Sequence, residues 1–307
     1  CQMYNFNNIK IYPSYYFLPF HYSGIKYDGH EKVYAYQEWG STKQNYETMN
    51  EIELPEELSS SNHRESCSIL ISSYNTSEIY MRECLDSIKQ QKGGFNMEIV
   101  WINDGSLSEN TTIIKKLLKE FKETTRFTSV KYITNENNKG IGYSLYHGVK
   151  LCSNELIIKM DSDDIMVNDR IKKQLNFMKS HPDCKICGGQ VSMFKNDNIT
   201  NVVSVSRHHP ITWKQYKDKP SEWFVNHPTL CYRKSAIIEA GNYDPKEHSM
   251  IEDFHLELKM LKTFGIVYNI PDVVLNYRLH PNQVTHTSTD PKWKKVRSDI
   301  IKDMISN

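Results

Sequence analysis

Leu156-Ile157-Ile158-Lys159-Met160-Asp161-Ser162-Asp163-Asp164 is a short, mostly apolar run that ends in three carboxylates. Such a run reads as a buried strand. In a strand, positions i and i+2 lie on the same side. Asp161 and Asp163 therefore share a side at the strand's end, and Asp164 follows directly. Mg²⁺ and Mn²⁺ favour oxygen ligands and are commonly held by a few carboxylates together with substrate phosphates. The same residues also read as a polar turn, because Asp is common after strands. The surrounding chain decides between the two.

Upstream, the sequence alternates strands and helices. Strand Cys67 to Ser73 leads into Asn75, placed to cap a helix with Glu78 three residues on. Met81, Cys84, Leu85 and Ile88 share one face of that helix. Strand Glu98 to Asn103 ends at Asp104-Gly105-Ser106, and Ser108 is placed to cap a helix striped by Ile113, Ile114, Leu117, Leu118 and Phe121. Strand Val130 to Thr134 precedes Asn138-Lys139-Gly140-Ile141-Gly142 and a short helix through Val149. Strand Leu156 to Met160 is followed by a helix from Asn168 to Lys179, stopped near His181-Pro182. This alternation predicts an α/β fold, a mostly parallel sheet covered by helices on both faces. Ligands of such sheets collect at the carboxyl ends of the strands. Four polar clusters arrive there: Ser72 to Asn75, Asp104 to Ser106, Asn138 to Gly142 and Asp161 to Asp164. Their shared edge favours a ligand site over four unrelated turns.

The later region is less periodic. Asn196 to Phe224 reads as long loops carrying Trp213, Tyr216 and Trp223. A short strand is expected from Thr229 to Tyr232, then a helix capped by Ser235 and stopped at Gly241. Glu252 and Asp253 open another helix, which ends at Gly265, and strands are expected at Ile266 to Ile270 and Val273 to Tyr277.

The chain has 307 residues, enough for one large or two small domains. Residues 1–46 form an aromatic-rich segment, 47–66 an acidic, Ser-rich linker, 67–290 the α/β domain and 291–307 a closing helix. A net charge of +1 and the absence of long basic runs argue against nucleic acid as a partner. No apolar run reaches transmembrane length and no signal peptide opens the chain, so a cytoplasmic protein, or one peripheral to a membrane, is expected. The first residue is Cys1, which points to a piece of a longer protein. Seven scattered cysteines suit a reducing compartment. Cys184 and Cys187 have C-x-x-C spacing, but no second pair completes a zinc site, and a core role is expected for them.

Taken together, these motifs resemble those of the family 2 glycosyltransferases, over roughly Cys67 to His286. Ser68 to Asn75 resembles the family's opening strand and Y-N turn. Asn103-Asp104-Gly105-Ser106 resembles its D-D-G-S, with Asn at the first Asp. Asn138-x-Gly140 resembles its N-x-G, and Asp161 to Ile165 its D-x-D-D. Asn226-His227-Pro228-Thr229, Arg233-Lys234-Ser235, Gly241 to Asp244 and Glu252-Asp253-Phe254 resemble its acceptor half. Tyr277-Arg278-Leu279-His280 resembles its closing Y-R-x-H. The resemblance implies a GT-A fold, with a nucleotide-binding Rossmann-like half and an acceptor-binding half. It also implies a hexosyltransferase-type enzyme with a nucleotide-sugar donor, most simply a UDP-sugar, and a glycan or glycoconjugate acceptor. By resemblance, Ser72, Tyr74, Asp104, Asn138, Lys139 and Asp161 line the nucleotide. Asp161, Asp163 and Asp164 face a Mn²⁺ or Mg²⁺ ion, with His280 as a further ligand or an ordinary polar loop residue. Asp253 would be the base, with Glu252 beside it, and one base acting in a direct displacement implies inversion.

In the opening segment, Tyr12 to Phe17 and Tyr34 to Ser41 resemble the tail of family 32 sugar transferases, with Gln37 or Glu38 where that tail carries a His. Two rival readings of the main domain remain at this level. A nucleotidyltransferase would need a Gly-rich, basic loop after the first strand, where Ser72 to Thr76 has neither Gly nor Arg. A carbohydrate-binding module would have no use for Asp161, Asp163 and Asp253 at the ends of elements.

Overall fold

The computed structural model describes residues 4–6, 9–13, 33–34, 65–125, 128–246, 251–281, 283 and 290–306. The chain divides into two units, Cys1–Ser61 and Asn62–Asn307. In the first, β1 (Tyr4–Phe6), β2 (Ile9–Pro13) and β3 (Val33–Tyr34) form a small antiparallel sheet. The family 32 resemblance falls mostly on residues outside the described ones.

The second unit opens with the alternation the sequence predicts. β4 (Ser66–Ser73), α1 (Glu78–Lys89), β5 (Asn96–Asn103), α2 (Ser108–Thr124), β6 (Thr128–Thr134), α3 (Ile141–Leu151) and β7 (Leu156–Asp161) follow in order. Then come β8 (Ile165–Met166), α4 (Arg170–Ser180), β9 (Ile186–Lys195), β10 (Val202–Val205), β11 (Ile211–Thr212) and α5 (Trp213–Asp218). A 3₁₀ turn at His227–Thr229 leads to β12 (Cys231–Arg233), α6 (Lys234–Glu239), α7 (Glu252–Phe264), β13 (Ile266–Leu279) and α8 (Pro291–Ser306).

These strands make one ten-stranded mixed sheet, ordered β11-β13-β9-β12-β7-β4-β5-β6, with β10 on β9 and β8 on β13. β7, β4, β5 and β6 are mutually parallel, as are β13 and β9. The remaining pairs are antiparallel. The apolar run of β4 has no polar alternation because both its faces are covered. Ile69 and Ile71 pack with α1, α2 and α4, while Leu70 packs with α3 on the other side. Each such fully buried aliphatic side chain contributes on the order of 1.5–3 kcal/mol.

Three expected caps are not made. Asn75 sits at φ +51°, outside the helix, and its Oδ1 accepts from the Leu107 N–H at 2.9 Å, so it laces two loops together. Ser108 and Ser235 lie inside the helical spans, and the Ser235 hydroxyl donates to Glu155 instead. The stretch expected to be looped, Asn196 to Phe224, contains β10, β11 and α5, the last started by a Thr212–Gln215 capping box. The two strands expected near the end are one, β13, whose register against β9 shifts between Asn269 and Leu275.

β9 has no counterpart in the sequence reading. Gly188 and Gly189 interrupt its apolar pattern, and packing accounts for both. A Cβ on Gly188 would lie 2.3 Å from Val225, and one on Gly189 2.6 Å from Val274. Cys184 and Cys187 are buried free thiols, as a core role requires. No helix among the described residues is long and apolar enough to cross a membrane.

Candidate active site

The carboxyl ends of β4, β5, β6 and β7 bring the four polar clusters to one edge of the sheet. Hydrogen bonds join their loops. The Asn75 N–H donates to Ser106 Oγ at 2.9 Å, Asn110 Nδ2 donates to the Thr76 carbonyl at 3.0 Å, and the hydroxyls of Thr76 and Ser162 pair at 2.9 Å. Gly105 makes the closest approach. Its φ is +71°, and a Cβ there would lie 2.2 Å from the Asn137 backbone.

Asp104 is buried at the end of β5. Its carboxylate accepts from Asn135 Nδ2 at 2.7 Å and from the backbone N–H groups of Lys139 and Gly140 at 3.0 and 2.9 Å. It therefore shapes the 138–140 loop. Asn103, the departure from the family's D-D-G-S, is a structural residue: it bonds Thr111, Tyr132 and the Ser106 N–H. Tyr74 is 51% exposed, Asn138 and Lys139 are exposed, and Ser72 is half-buried.

The three carboxylates of the D-x-D-D run have different surroundings. Asp161 pairs with the ammonium of Lys159, which is fully buried and also donates to the Met160 carbonyl at 3.0 Å. Burial opposes ionisation of Asp161, but Lys159 outweighs it and holds the carboxyl below the usual carboxylate range. Asp163 is half-buried, and its Oδ2 lies 3.0 Å from His280 Nε2. Asp164 is buried; one oxygen accepts from the Arg278 N–H at 2.9 Å and the other has no hydrogen-bond partner among the described residues. Burial, then the charges of Asp163 and Asp161, push its pKa well above the usual range. The structure thus brings Asp163 and His280 together, turns Asp161 to Lys159 and sets Asp164 beneath.

Glu252 and Asp253 open α7. Glu252 is 4% exposed and packs against Gly142 of α3, whereas Asp253 is half-buried, with one oxygen accepting from the Phe254 N–H at 2.6 Å. One turn further, Glu257 is buried with an oxygen that has no hydrogen-bond partner among the described residues. Burial, reinforced by Asp253 and Glu252, raises its pKa well above the usual carboxylate range.

His227, from the 3₁₀ turn, is buried. Its Nε2 pairs with the Tyr243 hydroxyl at 2.8 Å, and its ring is in the field of Lys159, Asp253 and Asp161. Burial and the Lys159 charge push its pKa down to about 4, so the imidazole is neutral. The sequence reading assigned no role to Lys159 or His227. A charged residue inside an apolar strand was the available signal for Lys159, since lysine is rarely buried unless paired.

Residues 68–241 match the family described as Glycosyl transferase family 2, more than half of the chain. The chain belongs to this family. It is a glycosyltransferase of mixed α/β architecture, similar to solved GT-A enzymes. It is 28% identical over 239 residues to the amylovoran biosynthesis glycosyltransferase AmsE of Erwinia amylovora, covering 76% of this chain and 82% of that one. The S. aureus TarS 1-349 structure in complex with UDP-GlcNAc superimposes with a TM-score of 0.59 at 18% identity, covering 79% of this chain and 67% of that one. The mannosyltransferase PcManGT from Pyrobaculum calidifontis, in complex with GDP-Man and Mn²⁺, gives 0.52 at 15% identity, covering 77% and 61%. The transferase thus spans less than two thirds of PcManGT's length.

Proposed function

We propose that this transferase moves a hexose from a UDP-sugar to a hydroxyl of a glycan or glycoconjugate, with inversion at the anomeric carbon and with a Mn²⁺ or Mg²⁺ ion. The observation that carries the reading is the 3.0 Å approach of Asp163 and His280, at the strand edge that also holds Asp104, Tyr74 and Asp161.

The donor set fits a divalent ion that is shared with substrate. Among the described residues no three His, Cys, Asp or Glu side chains are grouped to enclose a metal by themselves. One carboxylate and one imidazole converge, and diphosphate oxygens are the natural remaining ligands for Mn²⁺ or Mg²⁺. Asp163 and His280 would hold the ion. When bound, it offsets the negative charge that builds on the leaving diphosphate. Asp161, kept ionised by Lys159, is suited to accept from the ribose hydroxyls. Tyr74 offers an exposed ring to the base, and Asn138 and Lys139 border the nucleotide.

Asp253 takes the proton from the acceptor hydroxyl as its oxygen bonds to the anomeric carbon. The bond from that carbon to the diphosphate breaks, and its electron pair leaves with the UDP. The buried position of Glu252 leaves Asp253 as the carboxylate of the pair able to meet an acceptor. The amylovoran relative supports a glycan product, and the UDP-GlcNAc complex supports a UDP donor.

The nucleotide is tested by calorimetric titration with UDP and GDP in the presence of Mn²⁺. UDP should bind more tightly than GDP, the preference that the UDP-GlcNAc complex supports, and the Asp104 carboxylate, which also holds the 138–140 loop, has one acceptor position left for a ring N–H. A charge-assisted hydrogen bond contributes about 1.5–3 kcal/mol, so Asp104→Ala should weaken UDP more than about tenfold. Tight GDP binding, as the PcManGT complex would suggest, together with no UDP binding, would sink the uridine assignment.

A further inference from the structure

The guanidinium of Arg278 is 1% exposed and meets the Asp163–His280 pair through the Asp163 backbone. Its Nε donates to the Asp163 carbonyl at 2.9 Å. Its Nη1 donates to Asp197 Oδ1 at 2.7 Å, and its Nη2 to the Glu83 carboxylate. Its Cζ lies 4.3 Å from the ring centre of Tyr80 and 4.8 Å from that of Phe194. The Arg278 backbone N–H donates to Asp164 Oδ1, and its carbonyl accepts from Gln283 Nε2. Gln283 in turn accepts from the His280 N–H at 3.1 Å. Tyr80 closes the circuit: its ring is 5.0 Å from that of His280, and its hydroxyl reaches Asp197 at 3.4 Å.

Three separate parts of the chain meet on this one side chain. They are α1 through Tyr80 and Glu83, the β9–β10 turn through Asp197, and the D-x-D-D loop through Asp163. The turn is held in an uncommon conformation, with Asn196 at φ +60° and Asp197 at φ +51°. Positive φ costs free energy in a non-glycine residue and persists where the surroundings hold it, which here include the Arg278–Asp197 ion pair. The charge balance also has a purpose. A lone buried cation beside Asp163 would repel a divalent ion, and Glu83 and Asp197 together offset it.

We propose that Arg278 is the positioning residue of the cation pair, setting the Asp163 carboxylate and the His280 imidazole at their mutual distance. This rests on the reading of that pair as the cation site. Lysine could not replace it, because an ammonium has no planar fork to span three acceptors and stack on two rings.

The test is UDP affinity measured with Mn²⁺ and with EDTA, for the parent, Arg278→Lys and Asp197→Asn, alongside Mn²⁺ binding followed by electron paramagnetic resonance. For Arg278→Lys, UDP affinity in EDTA should match the parent's. The enhancement by Mn²⁺ should fall about ten- to a hundredfold, the usual cost of losing a group that orients metal ligands. Asp197 is a half-exposed partner on a turn, so Asp197→Asn should fold even if the lysine variant does not, and should lose about two- to fivefold. Parent-like Mn²⁺ enhancement in either folded variant overturns the proposal. A fall of equal size with and without Mn²⁺ also overturns it, since that marks a structural role alone. A parent that shows no Mn²⁺ enhancement removes the cation reading, and the positioning role with it.

Discussion

Asp253→Asn should bind UDP and Mn²⁺ as the parent does and lose sugar transfer by about two to four orders of magnitude, the range of general base catalysis. The substitution nearly preserves shape, and the Phe254 N–H that donates to the carboxylate still finds an oxygen there. What is lost is the ability to accept a proton. Glu252→Gln should lose less, because Glu252 is packed against α3 at Gly142 and only 4% exposed. Its substitution acts on the packing of α7 rather than on the acceptor. The measurement is transfer rate alongside UDP affinity for both variants. Full transfer in Asp253→Asn would end the assignment of the base.

Asp163→Ala should abolish the dependence of donor binding on Mn²⁺. The expected loss is at least about a hundredfold, the upper end of what removing a mere supporting group costs a metal site. The fold should survive, because Asp163 is half-buried at a loop and its carbonyl, not its side chain, receives the Arg278 guanidinium. Asp161→Asn should behave differently. It leaves Lys159 buried without its carboxylate, so a loss of thermal stability is expected there and not in Asp163→Ala. Equal donor and metal binding by Asp163→Ala and the parent would place the ion elsewhere.

The strand–helix half of the fold, from β4 to β7, was legible because its strands are buried on both faces. Runs such as Ile69-Leu70-Ile71 and Ile99-Val100-Trp101-Ile102 have no other easy reading. Their polar ends then mark one edge by topology alone. The rest was harder for a physical reason. β9 is central, but its two glycines make room for Val225 and Val274, which are distant in sequence. No local pattern reports that contact. The same holds for the site. Asp163 and His280 meet across 117 residues, and each alone reads equally well as a turn residue. Lys159 could have been flagged as a charge in an apolar strand, though not its partner. Arg278 was visible within Tyr277-Arg278-Leu279-His280, but its grip on Asp163, Asp197 and Glu83 depends on the D-x-D-D loop, the β9–β10 turn and α1 folding together. Asn75 shows the opposite failure. Its position suits a cap, and the neighbouring loop's Leu107 N–H takes its side chain instead.

The central claim is inverting sugar transfer that depends on a divalent ion, with one base. It is tested most directly without knowing the natural acceptor. The parent is incubated with an α-linked UDP-sugar and Mn²⁺ in aqueous methanol, and the methyl glycoside is identified by proton NMR. Unlike a free sugar, a methyl glycoside keeps its anomeric configuration. The expected product is the β-methyl glycoside, formed with Mn²⁺, absent with EDTA and absent with Asp253→Asn. An α-methyl glycoside, or the same yield in EDTA, would contradict the account.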